Sequence, residues 1–358
     1  MAVAFDKVAR APSPVGILML LLLGLLLSAC GGGSTKTTPP APTQTPKTNT
    51  SPRPQPKPRP YEPPAAYPIS VVAPGACTLD SYIYVTGGYG HRDTLNEAEF
   101  VARAYRYDPR ANIWERLPDM PRSRCFHACV AAAGKLWVIG GITQVEGKPG
   151  DITPGEVDCY DPATDRWTTP TSLPTPRNRL AAGVIGNRVY VVGGMKREDG
   201  LKDSDAVEVL DASTTKWTTA ASLPSPCHGL ALAVVGDKLV AAGGSRNIEG
   251  TWVYDSEEDE WREGAKLPGP TLFAASGVVD GNVFLIGNRQ QGDIPLLRYD
   301  VAKDEWTVVA EQSVETHRMG AASLDGKIYV VGGENPKGGE LNRLSIYDPS
   351  SAKWEHSD

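Results

Sequence analysis

Arginine and histidine residues recur shortly before a series of Gly-Gly pairs, and they are the side chains in this sequence best suited to bind an anion. They are Arg122, Arg124, His127, Arg177, Arg179, His228, His317 and Arg318. A guanidinium group can form two parallel hydrogen bonds with a carboxylate, so a group of arginines could capture an acidic ligand. The alternative interpretation is that each of these residues braces the loop that carries it.

The histidines of this set add to the impression of a shared surface. Three of the five histidines in the chain, His127, His228 and His317, lie 14 to 16 residues before the second glycine of the pair that follows. We therefore expect them to occupy equivalent places in a repeated structure.

The elements that must position these side chains are repeated strands. The clearest is residues 327–333 (KIYVVGG); further copies end at Gly88, Gly141, Gly194 and Gly244, and a weaker one ends at Asn288. A tyrosine followed by aspartate comes next, and a tryptophan lies seven residues after the tyrosine. The pairs are Tyr107/Trp114, Tyr160/Trp167, Tyr254/Trp261, Tyr299/Trp306 and Tyr347/Trp354, with Leu210 in the place of tyrosine before Trp217. Six copies at intervals of 44 to 53 residues predict an internally repeated fold.

This pattern resembles that of the kelch-repeat family, in which a strand ending in Gly-Gly precedes a Tyr-Asp-Pro turn and a tryptophan. The resemblance covers residues 73–358. It implies an all-β, six-bladed kelch β-propeller with four antiparallel strands, A to D, in each blade. Propellers host both binding and catalysis, so the fold alone leaves the function open.

The loops of such a blade fall on two faces. The A–B and C–D turns share one face, and the B–C and D–A loops share the other. From the second residue of the Gly-Gly position to the tyrosine of strand C, or to Leu210 in the third repeat, the spacing is 19, 19, 16, 10, 11 and 14 residues in the six repeats. Because function tends to reside in loops that vary over a fixed scaffold, we expect the B–C and D–A face, which carries the Arg/His set, to bind the ligand.

Two classes of function fit this expectation. The first is a non-catalytic module that recognises a protein or a glycan. The second is a sugar-modifying enzyme, because the exported kelch architecture is similar to that of bacterial N-acetylneuraminate epimerases (mutarotases). That resemblance implies an arginine that holds a carboxylate, for which Arg197, Arg246 and Arg289 are candidates, and an acid/base group such as Glu334 or one of the histidines.

Metal and cofactor chemistry has weaker support, and we predict neither a metal nor a cofactor. Cys125, His127 and Cys129 are close in sequence but lack the spacing of a zinc motif, and buried thiols are the simpler interpretation. Copper chemistry similar to that of galactose oxidase would need two histidines, a tyrosine and a cysteine in one pocket. His127, His228, Cys227 and Tyr89 supply these residue types, but the sequence around them does not resemble that family.

The first 30 residues are predicted to be a lipoprotein signal peptide. Lys7 and Arg10 precede an apolar run over residues 15–27, which is short for a membrane span. The run ends in Leu27-Ser28-Ala29-Cys30, which resembles a bacterial lipobox with cleavage before Cys30 and lipid on its sulfur. An ordinary signal peptide or an uncleaved anchor is the alternative. We therefore expect a lipid-anchored protein of the bacterial cell envelope, at the outer membrane or cell surface.

Residues 31–66, rich in proline and threonine, are predicted to be a disordered tether, and residues 67–358 to be the propeller. Residues 1–60 carry a net charge of +6 and the whole chain −6, so the remainder carries about −12. An acidic propeller argues against nucleic-acid binding. We expect the protein to be a monomer. Its partners are expected to be the membrane, through the lipid on Cys30, and a protein or glycan ligand. Residues 67–72 either add a strand to the last blade and close the ring, or lead directly into the first blade.

Overall fold

The computed structural model describes residues 62–92, 95–144, 152–197, 200–245, 249–287, 296–310, 316–335 and 337–357. Six four-stranded antiparallel sheets follow one another along the chain, and the strands of each sheet pair in chain order. These sheets are the six blades of a β-propeller, which confirms the predicted all-β fold. Within the described ranges, no helix is long and apolar enough to cross a bilayer.

The first three repeats contain sixteen strands. Blade 1 is formed by β1 (Gly75–Leu79), β2 (Tyr82–Thr86), β5 (Ala104–Asp108) and β6 (Ile113–Leu117), with β3 (Tyr89–Arg92) and β4 (Leu95–Phe100) as a hairpin in its B–C loop. Blade 2 is formed by β7 (Ala128–Ala132), β8 (Lys135–Ile139), β9 (Glu156–Asp161) and β10 (Arg166–Ser172). Blade 3 is formed by β11 (Ala181–Ile185), β12 (Arg188–Val192), β15 (Val207–Asp211) and β16 (Lys216–Ala220), with β13 (Met195–Arg197) and β14 (Leu201–Asp203) as a B–C hairpin.

The last three repeats contain four strands each. Blade 4 is formed by β17 (Ala231–Val235), β18 (Lys238–Ala242), β19 (Thr251–Asp255) and β20 (Glu260–Glu263). Blade 5 is formed by β21 (Ala275–Val279), β22 (Asn282–Ile286), β23 (Leu296–Asp300) and β24 (Glu305–Ala310). Blade 6 is formed by β25 (Gly320–Leu324), β26 (Lys327–Val331), β27 (Leu344–Asp348) and β28 (Lys353–His356).

The Gly-Gly pairs let neighbouring blades approach closely. In blade 2, a Cβ atom on Gly140 would lie 2.4 Å from the carbonyl oxygen of Arg177, which belongs to the D–A loop entering blade 3. The next glycine, Gly141, donates its N–H to the same oxygen at 3.1 Å. A side chain at Gly140 would therefore push the two blades apart, and the equivalent contact recurs between the other blades that contain the pair.

The repeated tyrosine and tryptophan link the outer parts of neighbouring blades. The Tyr254 hydroxyl donates to Asp259 at 2.7 Å, and the same carboxylate accepts the N–H of Ala221 from the preceding blade. The Trp261 ring nitrogen donates to the Ala221 carbonyl at 2.8 Å. The large hydrophobic clusters also lie between blades, so the tryptophans serve packing between repeats.

Residues 63–73 close the ring by taking the place that a D–A loop takes elsewhere. Gly333 of blade 6 donates its N–H to the Val71 carbonyl at 2.8 Å. The backbone of Val72 exchanges two hydrogen bonds with that of Tyr89, in the B–C hairpin of blade 1. Ahead of them, the fully buried Tyr67 packs edge-on against Trp114, whose ring nitrogen donates to the Ala65 carbonyl. The segment therefore leads into β1 and also joins blade 6 to blade 1, without adding a fifth strand to either sheet.

The predicted boundaries meet the structure only in part. Residues 1–61, which include the predicted signal peptide, Cys30 and most of the predicted tether, lie outside the described residues. At the end of the tether, the Pro63 carbonyl accepts a hydrogen bond from Asn112 of blade 1. Contacts with the propeller thus extend four residues ahead of the predicted start at residue 67.

Candidate functional site

A belt of five backbone hydrogen bonds links six residues around the propeller axis on the B–C and D–A face. One residue per repeat forms it, always 15 positions before the second residue of the Gly-Gly position: Ala73, Phe126, Arg179, Gly229, Phe273 and Arg318. All six have a positive φ, between 52° and 64°. The N–H of Phe126 donates to Ala73, Arg179 to Phe126, Gly229 to Arg179, Phe273 to Gly229, and Ala73 to Arg318. We call these six residues the axial belt.

The side chains of four axial-belt residues lie together at the propeller axis. Phe126 and Phe273 come from opposite blades, and their ring centroids are 5.6 Å apart. The Arg179 guanidinium carbon lies 4.7 Å from the centroid of Phe126. That of Arg318 lies 5.7 Å from Phe126 and 5.5 Å from Phe273. The two cations are therefore held over aromatic faces, an arrangement that fixes their position while they keep their charge.

A cavity of about 520 Å³ opens on this face beside the axial belt. Its aromatic wall is Tyr89, Phe100 and Phe126, its aliphatic wall includes Val72 and Ile142, and its charged lining is Arg179, Arg318, Glu334 and Glu340. A smaller cavity of about 110 Å³ lies on the axis below the belt, bounded by Arg179, Arg318 and the residues that begin the inner strands. The larger cavity thus combines a few charged groups with apolar walls, which is typical of small-ligand sites.

A carboxylate, an imidazole and a guanidinium group meet at the edge of the larger cavity. Arg318 Nη1 donates to Glu334 Oε2 at 2.9 Å, and His317 Nε2 lies 3.2 Å from the same oxygen. The side chains of all three are partly exposed, between 14% and 22%. Glu334 is therefore held at a fixed point while remaining accessible from the cavity.

A second imidazole–carboxylate pair lies over blades 3 and 4. His228 Nδ1 is 2.6 Å from Asp203 Oδ1, which β14 contributes from the B–C hairpin of blade 3. The backbone N–H of His228 donates to Ser245 Oγ at 2.8 Å. The His228 ring centroid lies 6.1 Å from that of Phe273, so this pair adjoins the axial belt.

Arg124 and Arg177 lie inside the blades. Both side chains are fully buried, and both stand 17 positions before the second glycine, two positions ahead of the belt. Arg177 Nε donates to the Gly193 carbonyl at 2.7 Å, and its Nη1 pairs with Glu208 on β15. Arg124 pairs with Asp158 on β9 at 2.5 Å and donates to the Gly140 carbonyl. Each arginine therefore ties the D–A loop to strand C of its own blade.

Arg122 completes the Asp158 cluster from a more exposed position. Its Nη1 lies 2.5 Å from Asp158 Oδ1, and its Nη2 lies 3.3 Å from Glu156. Arg197, on β13, is exposed and lines neither cavity. Arg246 and Arg289 lie outside the described residues, as does Cys30.

His127 does not occupy the same place as His228 and His317, contrary to the expectation from the sequence. It follows the belt residue of its repeat, whereas the other two precede theirs. Its ring packs between blades 1 and 2, where Nε2 lies 3.0 Å from the Thr86 hydroxyl. Burial, reinforced by the nearby charge of Arg124, lowers the pKa of His127 to about 3. The ring is therefore neutral at physiological pH.

Cys125, His127 and Cys129 do not converge on a common point. Cys125 pairs its backbone with Ile142, His127 is directed to Thr86, and the Cys129 sulfur lies beside Cys77. Within the part of the chain that the structure describes, no group of three histidine, cysteine, aspartate or glutamate side chains is arranged to hold a metal ion.

The interpretation of the sequence missed Phe126, Phe273 and Glu340. No charge or motif distinguishes the two phenylalanines, but their distance from the second glycine places them in register with Arg179 and Arg318. Glu340 lies in a B–C loop whose path the sequence does not determine.

The fold and this face define a six-bladed β-propeller with its ligand-sized cavity among the B–C and D–A loops. A family model described as "KLHDC2/KLHL20/DRC7 Kelch-repeats domain" matches residues 73–288, and a Kelch motif model matches residues 315–356. The chain therefore belongs to the kelch-repeat family, as its repeats predict.

Several curated proteins are similar over part of the chain. Kelch-like protein 35 of Mus musculus is 27% identical over 213 residues, 60% of this chain and 26% of that protein. Kelch-like ECH-associated protein 1A of Danio rerio is 37% identical over 116 residues, 31% of this chain and 17% of that protein. The matched segments thus span about a quarter or less of these relatives.

Among solved structures, one titled "Structure of YjhT" superposes with a TM-score of 0.70. It covers 82% of this chain and 99% of its own, at 16% sequence identity. At that level of identity, the likeness supports the propeller fold alone.

Proposed function

We propose that this propeller is a binding module that captures a protein or glycan ligand in the cavity of its B–C and D–A loop face. The observation that carries the proposal is the pair of guanidinium groups, Arg179 and Arg318, stacked on phenylalanine rings at the inner end of that cavity. Because the two side chains are already ordered, a ligand that binds them loses little affinity to the cost of fixing them.

The charges in the cavity favour a ligand with two kinds of polar group. The lining contains two arginines and two glutamates, Glu334 and Glu340, so its formal charges balance. A carboxylate or another anion suits the arginines, and hydroxyl or ammonium donors suit the glutamates. An acidic sugar has both features, as does a peptide segment with mixed charges.

The size of the cavity and the nature of its walls agree with such a ligand. A volume of about 520 Å³ lies within the range of ~300–1,000 Å³ that is common for ligand sites. Tyr89 and Phe100 pack edge-on, 5.4 Å between centroids, and give the cavity an aromatic wall. The apolar face of a sugar ring or of a peptide side chain could pack on that wall.

The second candidate function is an enzyme of the sugar-epimerase type, and the Glu334 cluster is the observation that favours it. A general acid or base must lie within hydrogen-bonding reach of the proton it transfers. Glu334 and His317 lie together at the cavity edge, with Arg318 beside them to hold a carboxylate. Exchange between the anomers of N-acetylneuraminate, followed by NMR, distinguishes this candidate, because a binding module leaves the rate of exchange unchanged.

Reversing the charge of both cavity arginines is expected to abolish ligand binding. A thermal-shift screen with N-acetylneuraminate, glucuronate, neutral hexoses and mixed-charge peptides identifies a ligand for the wild type. The variant R179E/R318E then loses two charge-assisted hydrogen bonds, and we expect its affinity for that ligand to fall at least ~100-fold. Calorimetric titration measures the change.

The matched control reverses two arginines on the opposite face. Arg110 is exposed on the C–D turn of blade 1, and Arg166 is exposed at the start of β10, directly after the C–D turn of blade 2, so R110E/R166E makes the same change in net charge away from the cavity. Binding lost equally in both double variants would assign the effect to the overall field of the protein. Binding retained by a folded R179E/R318E variant would rule out this site.

We further propose that the chain is anchored in the bacterial cell envelope by a lipid on Cys30. The support is the Leu27-Ser28-Ala29-Cys30 sequence after an apolar run. Cells that express the chain and grow with an alkyne analogue of palmitate are expected to label the wild type and the C227S variant, but not C30S, in a gel assay. Label retained by C30S would refute attachment at this residue.

A further inference from the structure

Two cysteines from neighbouring blades meet beside the propeller axis. Cys77 lies on β1, the inner strand of blade 1, and Cys129 lies on β7, the inner strand of blade 2. Their sulfur atoms are 3.4 Å apart. Cys129 is buried and Cys77 is half-buried, and both pack in one small cluster with Met120 and Val138. The other three described cysteines are placed differently. Cys159 and Cys227 belong to the hydrophobic clusters between blades 2 and 3 and between blades 3 and 4, and Cys125 packs with Val72 and Ala73.

We propose that Cys77 and Cys129 form a disulfide bond that cross-links blades 1 and 2 when the protein meets an oxidant of the disulfide class. The sulfur atoms must approach from 3.4 Å to the ~2.05 Å of an S–S bond. A shift of that size can come from side-chain rotation, because the two strands already lie side by side. The inner strands are also the part of each blade closest to its neighbours, so the link spans a native contact.

The exchange conserves atoms and electrons. One cysteine thiolate attacks a sulfur of the oxidant, for example glutathione disulfide, and releases one glutathione thiolate. The second cysteine then attacks the mixed disulfide, forms the Cys77–Cys129 bond and releases the second glutathione. The two protons lost from the cysteines end on the two glutathione thiolates, which the oxidant's broken S–S bond has supplied with two electrons.

The environment of the pair determines how fast this happens. Contact with the Cys129 thiol and burial together raise the pKa of Cys77 well above its ordinary value. The reactive thiolate is therefore scarce at neutral pH, and exchange in the folded protein is expected to speed up as the pH rises. The pair is thus stable as dithiol under reducing conditions and open to oxidation during folding or at alkaline pH.

The cross-link would constrain the unfolded chain. It closes a loop across the whole of repeat 1, because the two cysteines are 52 positions apart in the chain. A loop of this length restricts the unfolded state substantially, and for a domain of this size we expect oxidation to raise the melting temperature by about 5 °C.

The test uses the full chain purified under reducing conditions and then incubated with glutathione disulfide at pH 7 and pH 9. Peptide mapping by mass spectrometry without reduction is expected to find a peptide that joins Cys77 to Cys129, with a loss of two hydrogens. The cross-link should form faster at pH 9. It should be absent from C77S and C129S and present in the control variants C159S and C227S.

Three results would overturn the proposal. The first is a stable glutathione adduct on Cys77 or Cys129 that never resolves to the cross-link. The second is a disulfide that joins a different pair. The third is no thiol loss in the folded wild type at pH 9 while the denatured chain oxidises. Because the wild type carries the decisive measurement, a serine variant that fails to fold does not weaken the test.

Discussion

Replacing Arg177 with methionine is expected to lower the free energy of unfolding by about 3–5 kcal/mol. The guanidinium group is fully buried, pairs with Glu208, and donates to the Gly193 and Val191 carbonyls. Methionine fills much of the same space but leaves the buried carboxylate without its counter-charge. Urea denaturation followed by tryptophan fluorescence measures the loss.

The matched control for this variant is R179M, two residues further along the same loop. Arg179 stacks on Phe126 and donates to Asn178, and it lines the open cavity. Its side chain is only half-buried and lies at the open cavity, where water can replace the contacts it makes, so we expect a loss of about 1 kcal/mol or less. Equal losses in R177M and R179M would contradict the distinction between an arginine inside the blade and an arginine that lines the cavity.

A double variant distinguishes the contribution of the Arg177–Glu208 ion pair to stability from that of the other hydrogen bonds of Arg177. If the cost of R177M arises from the unpaired charge, then R177M/E208L should regain most of the lost stability, because apolar pairs can replace buried ion pairs of similar volume. If R177M/E208L is less stable than R177M, the hydrogen bonds from Arg177 to the glycine and valine carbonyls carry the larger share.

The fold could be predicted because its signals are local and repeated. The Gly-Gly pairs mark places where the next blade approaches within contact distance, and only glycine fits there. The turn Asp325-Gly326 has positive φ at both positions, as tight hairpins of this type require. Each of these sequence signals depends on a few neighbouring residues. Because they recur together in six repeats, they identify the fold.

The site could be predicted only to the level of a face. Residue type alone did not separate Arg177 from Arg179, because both are arginines of one loop. Their distances from the second glycine, 17 and 15 positions, decide that the first enters the blade and the second joins the axial belt. The same count separates His127 from His317, which lie 14 and 16 positions before their glycines.

The closure of the ring had no signal of this kind. Residues 65–73 bond to both end blades mainly through backbone groups, as between Val71 and Gly333. Backbone hydrogen bonds leave little trace in side-chain identity, so the sequence left two arrangements open. The buried Tyr67 is the exception. Its side chain packs against Tyr105 and Trp114 of blade 1, but the sequence does not show that these residues are its neighbours.

The neutral His127 is expected to make the propeller sensitive to mild acid. Its pKa is about 3 in the folded protein, because burial and the adjacent Arg124 disfavour the charged ring, and the ordinary value in an unfolded chain is about 6.5. Between these values the unfolded chain binds the extra proton. Stability from this residue is therefore complete above pH ~6.5 and is lost as the pH falls below it.

The size of the effect follows from the proton balance. From pH 7 to pH 5, His127 alone should remove about 2 kcal/mol from the free energy of unfolding. The variant H127Q cannot take up this proton, so its stability should change by about 2 kcal/mol less than that of the wild type over the same interval. Denaturation at both pH values measures the difference, and equal losses in the two proteins would contradict a buried neutral His127.

A second histidine provides the comparison that makes this result specific. The pKa of His356 is also lowered, by partial burial and then by Arg343, and this residue, at the end of the last blade, is far more exposed than His127. The H356Q variant should therefore also lose less free energy of unfolding than the wild type between pH 7 and pH 5, but the difference should be smaller than for H127Q.

His127 lies between blades 1 and 2, so its protonation opposes the contact that holds these blades together. Acid should therefore loosen the propeller first at this junction. Amide hydrogen exchange at pH 5 should therefore be faster in β1 and β7 than in the inner strands of blades 4 and 5, and uniform exchange would assign the acid sensitivity elsewhere.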